Sequence, residues 1–262
     1  MSVKGKIAVV TGGARGIGLS SVEQLLQHNV KSIAILDLPS SNGEQEAAKL
    51  NKLSKGTVIF LPCDVTKKEQ VESCLKKVIE TFGGLDILVN SAGIVNEKSW
   101  ERMVDVNFNG VIRTTLLAID IMGKHKGGKG GTIVNIASLA GLLSLKFMPI
   151  YCATKHAVVG FTRCLSDNYD ETGVRALLMC PGFTTSPLIA PNLEDVCLDF
   201  VDTKQCTDMF NSIPAQSAEH VGRAVVELIE TNKNGVICCV NKGEPPFTVK
   251  LLNYTEMTKE PL

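Results

Sequence analysis

Tyr151 and Lys155 stand four residues apart in "MPIYCATKHAVVGFTR", a spacing that puts both side chains on one helix face, about 6 Å apart along the axis. A phenol is a poor base at neutral pH, and a neighbouring ammonium favours its ionised form. Such a pair can take a proton from an alcohol or return one to a ketone. Three tyrosines and 21 lysines among 262 residues give about one chance in four of a Y-x-x-x-K by accident. The pair therefore needs context. Ser138 closes the apolar run "NIAS" 13 positions before Tyr151, where its hydroxyl can hydrogen-bond the same substrate oxygen and hold a carbinol C–H for hydride departure. Asn107, in "DVNFNG", is a weaker candidate, because a mid-helix Asn often just bonds a nearby carbonyl.

A second set of residues has the chemistry of a dinucleotide site. "TGGARGIGL" places Gly12, Gly16 and Gly18 directly after an apolar run, with Arg15 and Ile17 inside the turn. Glycines permit the tight turn and let backbone N–H groups and a helix's positive end reach a pyrophosphate. Asp37 ends the next apolar run, 19 residues after Gly18, where a carboxylate can accept from a ribose diol and repel a 2′-phosphate. Leu38 is not basic, so NAD is favoured over NADP, with Arg15 as a weak opposing signal. Asp64 and Val65 in "CDV" are placed to read the adenine. Asn90, Ala92 and Gly93 in "NSAG" are placed where small residues admit a flat ring. No metal site is expected.

The elements that must position these groups are legible as an alternation. "KIAVVTG", "SIAILD", "TVIFLPCD", "LDILVNSAG", "GTIVNIAS", "VRALLMCPG" and "GVICCVN" are nearly continuous in apolar character, as strands covered on both faces are. The segments 17–29, 43–53, 67–82, 99–125, 151–172 and 217–231 carry helical spacing. The expected fold is α/β: a single-domain Rossmann fold over residues 1–262, with a doubly wound seven-stranded parallel sheet and helices on both faces. The excursion 184–214, with Leu188, Ile189, Val196, Phe200, Met209 and Phe210, is expected to form a lid on the substrate side.

Balanced charge, 27 Lys plus Arg against 27 Asp plus Glu, argues against nucleic acid or anionic membrane as partners. Nine scattered cysteines without a C-x-x-C fit reduced thiols in a cytoplasmic protein, most of them small core hydrophobes. The apolar run at the N-terminus, "IAVV", is too short for a membrane span or a signal segment.

TGxxxGxG, the strand-end Asp, "NSAG" and Ser138 with Y-x-x-x-K together resemble the short-chain dehydrogenase/reductase family, single-domain branch, over essentially the whole chain. "NEKSWERMVDVNFNGVI", "SLAGL", "CPGF" and "KGGKGGTIVNI" are similar to its prostaglandin- and alcohol-oxidising members. The resemblance implies a tetrad of Asn107, Ser138, Tyr151 and Lys155, with Asn107 holding a water through a kinked helix and Lys155 binding the nicotinamide ribose. It implies that Pro181, Gly182, Phe183, Thr184 and Ser186 close over the carboxamide. It further implies NAD-dependent oxidation of a secondary alcohol on an apolar, lipid-like molecule of the eicosanoid, steroid or terpenoid kind, by a homodimer. Met148 stands where the prostaglandin-oxidising members carry a Gln three residues before the Tyr, so a polar contact to the substrate hydroxyl is missing. Rival readings are a ketone (for example ecdysteroid) reductase using NAD(P)H, and a dinucleotide-binding protein without turnover.

Overall fold

The computed structural model describes residues 2–188 and 192–252; Ile189, one of the expected lid residues, lies outside them. In chain order the elements are β1 (Ile7–Thr11), α1 (Gly16–Gln27), β2 (Ser32–Asp37), α2 (Gly43–Leu53), β3 (Thr57–Pro62), α3 (Lys68–Phe82), β4 (Ile87–Asn90) and α4 (Trp100–Val104). Next come α5 (Gly110–Met122), β5 (Gly131–Ile136), α6 (Pro149–Ser166), α7 (Tyr169–Thr172), β6 (Val174–Pro181), β7 (Thr184–Thr185), α8 (Thr203–Ser212), β8 (Gln216–Ser217), α9 (Ala218–Glu230), β9 (Ile237–Val240) and β10 (Phe247–Val249).

The sheet runs β10-β9-β6-β5-β4-β1-β2-β3. Its apolar strands alternate between two cores, as the two-residue strand period requires. Val10, Ile33 and Ile35 pack with α1, α2 and α9, whereas Val9, Ala34 and Leu36 face α3 and α5. Because β4 pairs with β1 rather than β3, the winding reverses between them and opens a crevice at the carboxyl ends of β1 and β4. Every candidate residue of the glycine turn and of "NSAG" sits at that reversal.

Seven parallel strands were expected, and the sheet has eight, because β10 adds antiparallel to β9. The reversal is made by Lys242 and Gly243, both left-handed at φ 56° and 73°, with the Glu244 N–H donating to Asn241 O at 3.0 Å. Two successive left-handed residues are what a type I′ hairpin turn needs. The expected helix 99–125 is also broken. Between α4 and α5, residues Asp105–Asn109 wind as a π-helix, a one-residue widening that rotates α5 relative to α4. The expected helix 151–172 opens two residues earlier, on Pro149 at a first-turn position, where proline's missing N–H costs nothing. It ends at Ser166, and α7 is a separate turn after it. The glycine-rich segment before β5 carries a short 3-10 turn, Lys124–Lys126.

All nine cysteines are free, and only Cys164 is exposed. Among the described residues no helix is long and apolar enough to cross a membrane, and no group of His, Cys, Asp or Glu is arranged to hold a metal.

Candidate active site

At one end of the crevice the glycine turn is locked by contacts that leave no room for a side chain. Gly12 is left-handed at φ 64°, and a Cβ there would lie 2.7 Å from the Ala92 Cα. A Cβ on Gly18 would lie 2.0 Å from Gly12 O. Gly16 differs, since its Cβ would project toward Ser186 across the crevice, with 3.5 Å between them. The space that a methyl would fill is thus open at the start of α1, whose N-terminus has neither a side-chain cap nor an acid in its first turn. Free N–H groups and a positive helix end suit an anion such as a pyrophosphate.

Asp37 lies beside the turn. Its Oδ2 accepts from the Ala14 N–H at 3.0 Å and its Oδ1 from the Leu38 N–H at 2.8 Å. One lone pair on each oxygen is left for a diol. Asp64 Oδ1 accepts from the Thr66 N–H at 2.9 Å, which holds its loop against the same wall. Thr11 Oγ1 accepts from the Ser91 and Ala92 N–H groups at 3.1 and 3.2 Å, tying the end of β4 to β1. These residues fit a dinucleotide: a backbone cradle for its phosphates, and a carboxylate for its ribose.

At the other end, Ser138 begins the turn after β5. Its Oγ accepts from the Ala140 N–H at 3.1 Å and points to Pro181 O at 3.4 Å. Tyr151, on the first turn of α6, has its phenol near enough to the Ser138 hydroxyl for that group to favour the phenolate. Lys155 lies one turn further, 6% exposed, with its Nζ donating to Ile136 O at 3.0 Å and 5.7 Å from the centre of the Tyr151 ring. Burial pushes the Tyr151 phenol up to about 12, against the smaller lowering by Ser138. Burial also brings Lys155 down to about 8. In the protein alone, desolvation of the buried ring is the largest influence on the phenol.

Both ends open into one cavity of about 510 Å³. Of the residues singled out in the sequence, Gly12, Arg15, Gly16, Ile17, Gly18, Asp37, Leu38, Asp64, Val65, Ala92 and Gly93 line it, as do Ser138, Met148, Tyr151, Lys155, Pro181, Gly182, Phe183, Thr184 and Ser186. Two do not. Asn90, expected at the cofactor, is buried, donating to Thr115 Oγ1 and Asn135 Oδ1 at 2.9 and 2.8 Å and accepting from Thr114 at 2.7 Å. It braces the sheet from inside. Asn107 is fully buried in the π-turn, where its Oδ1 accepts from the Ile94 N–H at 2.8 Å and its Nδ2 donates to Ile94 O at 2.9 Å. It meets Lys155 over Gly93: a Cβ on Gly93 would be 3.5 Å from Asn107 Oδ1 and 3.8 Å from Lys155 Nζ, so the missing side chain leaves the space between them open.

From the expected lid, Leu188, Met209 and Phe210 line the cavity together with Ile213, and Phe210 stacks on Phe183 at 5.4 Å. Val196 is buried in the same apolar cluster as Tyr151 and Met148, whereas Phe200 points outward, 79% exposed. The sequence reading missed Arg102, a cation on the cavity wall, and Glu97, whose carboxylate caps α6. Neither carries a local motif that would have singled it out.

A family model described as short chain dehydrogenase matches residues 6–196. The chain belongs to the short-chain dehydrogenase family. This short-chain dehydrogenase is 38% identical over 245 residues to the 15-hydroxyprostaglandin dehydrogenase (NAD+) of Rattus norvegicus, covering 90% of this chain and 91% of that one. It is 43% identical over 192 residues to the Homo sapiens protein of that name, 72% of each chain. Alcohol dehydrogenase 1 of Ceratitis cosyra is 35% identical over 246 residues, 93% of this chain and 94% of its own. Among solved structures, levodione reductase matches with a TM-score of 0.78 at 25% identity, covering 92% of this chain and 97% of its own. The NADPH-dependent 3-quinuclidinone reductase of Rhodotorula rubra matches with a TM-score of 0.79 at 23% identity over 92% of each chain, a likeness of fold alone.

Proposed function

We propose that this short-chain dehydrogenase oxidises a secondary alcohol on an apolar, lipid-like small molecule with NAD as the oxidant. The observation that carries the reading is the grouping of Ser138, Tyr151 and Lys155 at one end of a cavity whose other end is the glycine turn and Asp37. NAD, when bound, would supply the hydride acceptor and a positive charge that favours phenolate. Gly16 and the α1 N-terminus would hold its phosphates, Asp37 its ribose diol and Asp64 its adenine, and the segment from Pro181 to Ser186 would hold its carboxamide. The Ser138 hydroxyl and Tyr151 hold the substrate oxygen, and Tyr151 Oη takes the alcohol proton. Lys155 keeps a positive charge beside the Tyr151 ring, and Asn107, in the π-turn beside Gly93, extends the polar path from Lys155 toward solvent. The same groups run in reverse for a ketone.

The preference for an apolar substrate is supported by the lining around the reacting groups. Met148, Leu145, Leu188, Met209, Phe210 and Ile213 offer hydrocarbon there, with segment 184–214 acting as the lid. The name shared by several relatives, 15-hydroxyprostaglandin dehydrogenase, points to an eicosanoid-like alcohol, while Met148 offers no hydrogen bond to it. A cytoplasmic protein is the reading that nine free thiols favour. A homodimer paired through α5 and α6 agrees with Leu116 standing 48% exposed on α5.

The test is NADH formation by the purified protein against long-chain 2-alkanols, hydroxy fatty acids and hydroxysteroids, with Tyr151→Phe as comparator. Turnover by the wild type that the variant loses supports the proposal. Equal turnover by the two proteins would sink it.

A further inference from the structure

The loop between β4 and α4 carries a buried charge that the proposed chemistry does not use. Glu97 is 1% exposed, yet among the described residues it joins no ion pair. Its partners are backbone instead. Oε2 accepts from the Ile150 N–H at 2.9 Å and Oε1 from the Tyr151 N–H at 2.8 Å. These are the free donors of the first turn of α6, the only ones left there after Pro149, and they lie at the helix's positive end. A buried carboxylate is tolerated where charge-assisted hydrogen bonds satisfy it.

Helices are usually capped by the residue just before them. Here that residue is Met148, which makes no side-chain cap and is instead buried in the cavity wall. The cap has therefore been handed to a residue 53 positions upstream of Ile150. A distant cap does what a local one cannot: it fixes the first turn of α6 to another part of the molecule. That part is itself clamped. The Glu97 and Lys98 N–H groups both donate to Val196 O, at 2.8 and 3.3 Å, and Lys98 pairs with Asp199 at 3.1 Å. Val196 and Asp199 belong to the expected lid segment.

We propose that Glu97 is a positioning residue: its carboxylate seats Tyr151 against Ser138 and ties that seat to the lid segment around Val196. The inference rests on the proposed role of Tyr151. Misplacing a reacting group by about 1 Å can cost about a hundredfold in rate, so a loosened first turn should be read in turnover before it is read in stability.

The experiment compares full-length wild type with Glu97→Gln, which keeps the shape but offers one acceptor where two are needed. Amide hydrogen exchange at Ile150 and Tyr151 reads the clamp directly. Steady-state kinetics with the best alcohol of the panel reads its use. The expected result is faster exchange at those two amides and a kcat lowered about tenfold or more, with KM and the NADH dissociation constant within about threefold of wild type. Unchanged exchange, a kcat within about twofold of wild type, or a loss confined to KM would overturn the proposal. If Glu97→Gln does not fold, Glu97→Asp, which keeps the charge but withdraws it by one methylene, is read by the same two measurements and the same criteria. A wild type inert toward the whole panel would overturn the proposed function instead, and the amide exchange would still decide the clamp.

Discussion

Lys155 holds its Nζ 5.7 Å from the centre of the Tyr151 ring while donating a 3.0 Å hydrogen bond to Ile136 O. The ammonium is thus fixed from the strand side and presented to the ring. Burial lowers Lys155 to about 8 and raises Tyr151 to about 12, so at neutral pH the protein alone carries a phenol above a protonated amine. On the proposed role, replacing the phenol by Tyr151→Phe removes the proton acceptor. We expect turnover to fall roughly 10²- to 10⁴-fold, the usual range for a lost general acid or base, with NADH binding retained by fluorescence titration.

Lys155→Met should separate function from stability. A lysine whose pKa is lower in the folded than in the unfolded chain binds fewer protons when folded, so its burial destabilises the protein at neutral pH. That penalty is relieved as pH rises from about 8 toward the ordinary lysine value. Wild type should therefore gain stability relative to Lys155→Met between about pH 7 and pH 10, read as converging or crossing melting temperatures, while the variant is inactive throughout. A gap that widens in favour of the variant over that range would contradict the assignment.

Asp37 leaves one lone pair on each oxygen free beside the glycine turn. Its replacement in Asp37→Ala should raise the KM for NAD about tenfold or more, the scale of a hydrogen bond to a charged group. The ratio of NADP to NAD activity should rise with it. An unchanged ratio would remove Asp37 as the selector.

Asn90 is expected to behave as a core residue. It links Thr114, Thr115 and Asn135, and Asn135 donates onward to Thr162 at 2.8 Å. Asn90→Ala strands several buried polar groups and should cost about 2 kcal/mol or more, read as a lower urea midpoint. The KM for NAD should stay close to wild type, whereas a residue touching the cofactor would change it.

How legible each part of the molecule was in the chain depends on the range of the forces involved. Seven of the strands announce themselves because helices cover both faces of the sheet, which demands a local apolar run such as "SIAILD"; marginal β3 keeps such a run although just Val58 of it is fully buried. The chemistry at their ends is equally local: a glycine that cannot carry a Cβ, an acid closing a strand, a tyrosine one turn from a lysine. What escaped is set by distant neighbours. Asn90 reads as a cofactor residue until Asn135 and Thr114 are seen beside it. Glu97 reads as one acid in "NEKSW" until α6 arrives on top of it. The π-turn at Asp105–Asn109 leaves no mark in composition, and only the family resemblance implied a kink at Asn107. Strand β10 is short and mostly exposed, Phe247 and Thr248 facing out, so no apolar run marks it.

That small strand has a consequence for the protein in concentrated solution. Without it, β9, buried and rich in Ile, Cys and Val, would end the sheet and present an open row of donors and acceptors to any other chain. Three residues held by a tight hairpin occupy that row and are themselves too short to recruit a further strand. At the opposite margin, β3 ends in Pro62, which has no N–H to offer a newcomer. Both borders of the sheet therefore discourage lateral growth, so a protein built around a greasy cavity does not also carry, in its own sheet, a seed for aggregation.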